Sequence, residues 1–197
     1  MNFLAHLHLA PDTPHHRVGS VVADFLKGPA FLRLPATIQD GVRQHRAVDA
    51  FTDRHQLVQR SIVRISQNWG WFSGIIVDIY YDHILAREWA RHCDEPLRGF
   101  ADRMYAILLA AAPGLEMPGR GFIEWMAADD RLVKYGTVDG IEDTLRRLSR
   151  RIEERMPGKA VRLHDAMPEL IANDAGLEED FRAFYPELVA FARSWKI

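Results

Sequence analysis

Trp71-Phe72-Ser73-Gly74-Ile75-Ile76-Val77-Asp78-Ile79-Tyr80-Tyr81-Asp82-His83-Ile84-Leu85-Ala86-Arg87-Glu88-Trp89-Ala90-Arg91-His92 is the most apolar stretch of the 197-residue chain. Ile75, Ile76, Ile79, Tyr80, Ile84, Leu85 and Trp89 fall around most of a helical circumference, the pattern of a central helix buried on nearly every side. The β-branched run Ile75-Ile76-Val77 lies inside that period and is followed by no turn residue, so it does not read as a strand. Asp78, Asp82, His83, Arg87 and Glu88 interrupt the segment, which rules it out as a membrane span of about 18 or more apolar residues.

Working outward, the punctuation is helical throughout. Pro14 opens a helix running to about Lys27, stopped by Gly28-Pro29, and Pro35 suits the first position of another reaching toward His55. Gln56 to Asn68 follows, with Asn68 and Gly70 as its stop. Leu97 to Ala112 ends at Pro113-Gly114. A Gly-rich stretch from Gly114 to Gly121 leads to a short helix at Phe122 to Ala128. A charged helix from Val138 to Met156 closes at Pro157-Gly158, and two more span Val161 to Asn173 and Leu177 to Trp195. No segment alternates with period two, and no linker or repeat divides the chain. The expectation is one all-α domain over residues 1–197, a helical bundle.

The charge is nearly balanced, 25 basic against 27 acidic side chains and a net −2. That excludes the broad positive footprint of a nucleic-acid binder. Hydrophobic residues make up 48%, enough for a chain of this length to bury a core without disulfides or a structural metal. The single cysteine, Cys93, fits a reducing cytoplasm. The opening Met1-Asn2-Phe3-Leu4-Ala5-His6-Leu7-His8-Leu9-Ala10-Pro11 has no basic start and meets proline early, so it reads as mature protein and not as a signal peptide. Motifs for phosphate loops, dinucleotide binding, the nucleophile elbow and the zincin helix are all missing.

Chemistry concentrates in a few places. Six of the nine histidines fall in the first 55 residues. His15, His16 and His55 sit at helix ends where exposed histidines are ordinary, whereas His6 and His8 lie among apolar residues and, two apart, cannot face the same way on a helix. His45, Asp49 and Asp53 form one stripe at i, i+4 and i+8, which fits either a solvated face with local ion pairs or part of a site. Asp78 and Asp82 share one face of the most apolar helix, where an uncompensated carboxylate loses several kcal/mol of hydration. Either a divalent metal or a cation from another helix must compensate them. Asp24, with Lys27 three residues on, follows the small residues Gly19-Ser20, and could bring a third carboxylate to a carboxylate-histidine centre of the kind built inside helical bundles.

Together, Asn2-Phe3-Leu4-Ala5-His6, Gly19 to Asp24, His45-Arg46 with Asp49 and Thr52-Asp53, Asp78 with Asp82-His83, Leu132-Val133 with Tyr135, and Phe184-Tyr185-Pro186 resemble the acyl carrier protein phosphodiesterase family, also called acyl carrier protein hydrolase. The resemblance covers essentially the whole chain. It implies an all-α fold distantly similar to the HD-type metal phosphohydrolases. It also implies a cytoplasmic, Mn²⁺-dependent hydrolase that removes 4'-phosphopantetheine from a serine of holo-acyl carrier protein, with Mg²⁺, Fe²⁺ or Co²⁺ as other possible ions. Asp82-His83 stands in the opposite order from the His-Asp doublet of the wider group, so ligands do not transfer position by position. Residue chemistry and resemblance together give His6, Asp24, Asp78 and Asp82 as expected metal ligands and His45 and His83 as ligand or proton-transfer residues. Arg46 and Lys27 are expected to hold the phosphate. Arg17, Lys27, Arg33, Arg43 and Arg46 are candidates for a basic docking face toward an acidic carrier. Two other readings stand beside this one: a phosphohydrolase of nucleotides or other small phosphodiesters, and a non-catalytic helical binding protein.

Overall fold

The computed structural model describes residues 1–26, 28–156 and 161–196. Its helices are α1 (Phe3–Leu9), α2 (Pro14–Val22), α3 (Ala36–Arg54), α4 (Gln56–Trp69), α5 (Ser73–Arg87), α6 (Leu97–Ala111), α7 (Gly119–Ala128), α8 (Arg131–Lys134), α9 (Val138–Arg155), α10 (Met167–Ala172) and α11 (Asp174–Ser194), with short 3₁₀ turns between several of them. No strand occurs among the described residues, and one hydrophobic cluster draws on residues from α1 through α11. The all-α expectation holds. Among the described residues no helix is long and apolar enough to cross a membrane.

The central segment is shorter than expected. It is helical from Ser73 to Arg87, after which a 3₁₀ turn at Trp89–Arg91 takes over. Ile76, Val77, Ile79, Tyr80, Tyr81, Ile84 and Leu85 are all buried, as an apolar pattern covering the whole circumference requires. The helix beginning at Pro14 ends at Val22, and Asp24 lies in a 3₁₀ turn, Ala23–Phe25. Lys27 and the Pro157-Gly158 stop lie outside the described residues. Val161 to Asn173, expected as one helix, is a 3₁₀ turn at Leu163–Ala166 followed by α10.

Caps and buried polar links fix the bundle. Thr13 caps α2 by accepting from the His16 N–H, and Thr137 caps α9 by accepting from the Gly140 N–H. Tyr81 on α5 donates to Ser61 on α4 (2.8 Å), and Ser61 donates to Asp180 on α11 (2.8 Å), which also takes Arg60 and Arg64. That chain joins three helices through one fully buried carboxylate. The buried Arg131 guanidinium donates to Gly140 O (3.1 Å) and Thr144 (2.8 Å), pairs with Asp129 and Asp143, and stacks on Trp125. It thereby ties α7 and α8 to the start of α9.

Helices α2 and α3 cross at their glycines. A Cβ on Gly19 would lie 2.8 Å from Gly41 Cα and still closer to the Ile38 carbonyl oxygen, and one on Gly41 would lie 2.6 Å from His16 O. Backbone on both sides leaves nothing flexible to yield. Gly19→Ala is therefore expected to lose roughly 1–3 kcal/mol, as overpacked sites do, read as a lower denaturant midpoint. A change within 0.5 kcal/mol, roughly the range of an ordinary surface substitution, would show that the two helices can separate.

Candidate functional site

The close crossing of α2 and α3 brings His45 against the end of α2. Its Nδ1–H donates to Ser20 O at 2.8 Å, which fixes the ring and leaves Nε2 directed at carboxylates: Asp24 Oδ1 at 3.1 Å and Asp49 Oδ2 at 3.1 Å. Helix α1 inserts His6 from the other side. Its Nε2 lies 3.0 Å from Asp49 Oδ1, and its ring stacks on that of His45 with centroids 3.7 Å apart. Asp49 thus takes one imidazole on each oxygen. Asp78, from α5, lies 3.0 Å from the Met1 amino nitrogen, which is also 3.6 Å from Asp49.

The electrostatics follow from this packing. Burial alone would lower His45, but the hydrogen bonds to Asp24 and Asp49 outweigh it and raise the imidazole to about 9. Burial and the charge on His45 together lower His6 to about 4, because two stacked imidazoles so close do not both keep a proton. Burial would raise Asp49, yet the His45 and His6 hydrogen bonds hold it well below the usual carboxylate range. Burial raises Asp78 despite the Met1 amino group beside it. The protonated His45 and the Met1 amine thus face three carboxyl groups, Asp24, Asp49 and Asp78, an excess of acid over base.

One ligand atom each from His6, His45 and Asp49 lies within 4.8 Å of the others. Two imidazole nitrogens and a carboxylate oxygen, with Asp24 on His45 and Asp78 nearby, form an N/O donor set that suits Mn²⁺, Fe²⁺, Zn²⁺ or Mg²⁺. The residues present fit a divalent ion.

Of the expected site residues, the structure gathers His6, Asp24, His45 and Asp78. It places three others elsewhere. Asp82 turns both oxygens to the start of α1, accepting from the Leu4 N–H (2.7 Å) and the Ala5 N–H (3.2 Å). Burial pushes its carboxyl up to about 7 against those two bonds. What compensates it is main chain, which no sequence pattern announces. His83, one step around α5 from Asp82, faces away and donates from Nδ1 to Tyr135 O at 2.7 Å. Arg46, one step from His45, is exposed and lies over the Phe31 ring. Lys27 is outside the described residues. In the expected docking face Arg17 is buried beside Asp12, Arg33 pairs with Glu116 and Arg43 with Asp40. His8 points away from His6, as their spacing requires, and is held by Tyr185 and the His92 carbonyl. Asp49 is the residue the pattern left open. Its spacing from His45 was the available signal, but a solvated stripe has the same spacing.

Asp49 is the member of the cluster that reaches a cavity of about 940 Å³, which Asp24, Asp53 and Asp78 also line. Phe3, Phe25, Phe122 and Trp125 form a continuous aromatic wall, with Phe122 centroids 4.6 Å from both Phe3 and Phe25 and 5.5 Å from Trp125. Arg147, Arg150, Arg151 and Arg155 line it from α9. An acidic end with two imidazoles behind Asp49, an aromatic wall and a basic side suit an elongated organic anion.

Comparison with known proteins points the same way. A family model described as acyl carrier protein phosphodiesterase matches residues 1–188. Proteins named acyl carrier protein phosphodiesterase from Salmonella agona (strain SL483) and Salmonella newport (strain SL254) are each 29% identical over 193 residues, 98% of this chain and 97% of theirs. No solved structure matches. A match of this extent, running through the residues that build the cluster, shows that the chain belongs to the acyl carrier protein phosphodiesterase family.

Proposed function

We propose that the protein hydrolyses the phosphodiester that joins 4'-phosphopantetheine to a serine of holo-acyl carrier protein, using a divalent cation, Mn²⁺ first, held by His6, His45 and Asp49 with Asp24 and Asp78 alongside. The observation that carries this reading is the three-donor cluster that reaches, through Asp49, a cavity with an aromatic wall, in a chain of this family. The reading places the activity in the cytoplasm with its carrier substrate, where the family resemblance also puts it.

When bound, the ion would supply Lewis-acid stabilisation of the phosphoryl oxygens and a water of lowered pKa. The chain does the rest. The Ser20 carbonyl holds the His45 ring so that Nε2 stays aimed into the site, a support of the kind that fixes ligand geometry. Water adds to phosphorus, the bond from phosphorus to the serine oxygen breaks, and the serine leaves with a proton. Asp78, raised by burial, is suited to take the proton from the attacking water and return it. The aromatic wall seats the pantetheine arm and keeps bulk water from the reacting centre.

The test is mass spectrometry of holo-carrier incubated with the protein and Mn²⁺, beside a chelator-treated sample, with thermal melting in parallel. Loss of the pantetheine arm only in the complete reaction is the expected result. An intact holo-carrier beside a protein that Mn²⁺ stabilises would favour a phosphohydrolase of small phosphodiesters. No stabilisation by any divalent ion would favour the non-catalytic reading.

A further inference from the structure

Five arginines line the cavity: Arg131, Arg147, Arg150, Arg151 and Arg155. Arg131 and Arg147 are held by Asp129 and Asp143, whereas Arg150, Arg151 and Arg155 form no ion pair among the described residues. Arg150 and Arg155 are exposed and Arg151 is half-buried. The Arg151 guanidinium carbon stands 5.4 Å from the centroid of Phe25, the residue next to Asp24, and both Arg151 and Asp24 line the cavity. Partial burial and the nearby Arg155 both disfavour its charge, and Asp24 and Glu154 only partly offset them. A partly buried guanidinium that lines the cavity over an aromatic ring, with no carboxylate in ion-pair contact among the described residues, is free to take an anion that enters the cavity. Guanidinium is also the side chain whose planar fork matches two phosphate oxygens at once.

We propose that Arg151 is the phosphate-binding side chain of this site, holding the non-bridging oxygens of the phosphodiester in the cavity that Asp49 also lines, with Arg155 adding positive charge. This rests on the phosphodiesterase reading and deepens it. Arg151 takes the role that the sequence alone gave to Arg46 and Lys27. Because Arg151 is recessed beside Phe25, its anion is the phosphate group and not the acidic surface of the carrier.

Arg151→Gln, Arg151→Lys and Arg46→Gln are compared with the wild type in two measurements. The first is calorimetric titration with inorganic phosphate, with and without Mn²⁺, which needs no turnover. Arg151→Gln is expected to weaken phosphate binding about tenfold or more, with melting temperature and Mn²⁺ binding unchanged. Arg151→Lys should fall between, since it keeps the charge and loses the fork, and Arg46→Gln should match the wild type. Phosphate binding by Arg151→Gln equal to the wild type, or no phosphate binding by the wild type in either condition, overturns the assignment. The second measurement is kcat/KM on holo-carrier and on bis(4-nitrophenyl) phosphate. A loss on both substrates is expected, whereas a loss on the carrier alone would assign Arg151 to the carrier surface and overturn the proposal. If the wild type hydrolyses neither substrate, the phosphodiesterase reading fails, and the phosphate titration alone decides whether Arg151 binds the anion.

Discussion

On the proposed metal-dependent reading, Asp49→Asn is expected to reduce hydrolysis of holo-carrier by on the order of 10³-fold and to abolish thermal stabilisation by added Mn²⁺. Among the described residues Asp49 is the one carboxylate that touches both imidazoles, one on each oxygen. The amide keeps the shape but loses the charge, and it must turn an NH₂ toward one of the two rings. In either orientation His45 loses the Asp49 charge that helps to raise it, so the imidazole falls from about 9 toward its ordinary value. Asp53→Asn, one turn further along α3 at an exposed position in the same cavity, is the control. Its effect should stay below about tenfold, because a screened surface charge acts only weakly. Equal losses in both variants would mean that the acidic stripe works through its overall field, and the assignment of Asp49 as a ligand would fail.

Asp82→Ala should destabilise the fold by roughly 2–5 kcal/mol, since each buried N–H left without an acceptor costs about 1–3 kcal/mol. The change leaves the Leu4 and Ala5 N–H groups without acceptors in a site closed to water, and it opens a void on the most buried helix. Asp82→Asn should lose less, since one oxygen remains to accept. Chemical denaturation of both variants gives the numbers. A loss below about 1 kcal/mol for the alanine variant, the scale of an average point mutation, would contradict the role assigned here. Mn²⁺ titration of folded Asp82→Asn separates the two meanings of this carboxylate. Retained affinity fits a residue that seats α1, and lost affinity with intact stability would return Asp82 to the ligand set.

Much of the fold was legible because proline and glycine mark helix boundaries locally. Pro14, Pro35 and Pro113-Gly114 need no tertiary context to be read, and α5 declares itself by apolar residues on every side. The site was legible in part. His6, Asp24, His45 and Asp78 stand out because such groups are expensive among apolar or closely packed residues, and the structure brings these four together with Asp49. The others went astray for definable reasons. His83 and Arg46 adjoin informative residues in sequence, but one step on a helix turns a side chain by about 100°, onto another face. Asp82 demanded a partner, and that partner was backbone, which every sequence contains. Arg151 was hidden in a helix dense with arginines, where a solvated face and an anion site look alike until the carboxylate partners of the neighbouring arginines are known.

Helix α1 has only seven residues, too few to persist outside a folded protein. It exists because Asp82 receives its first amides and the core covers Leu4, Ala5 and Leu7. His6 therefore reaches its place only after the bundle has closed around α5. On the proposed metal-dependent reading, an ion held by His6, His45 and Asp49 would find its site only in the folded bundle, and would stabilise that folded state by mass action.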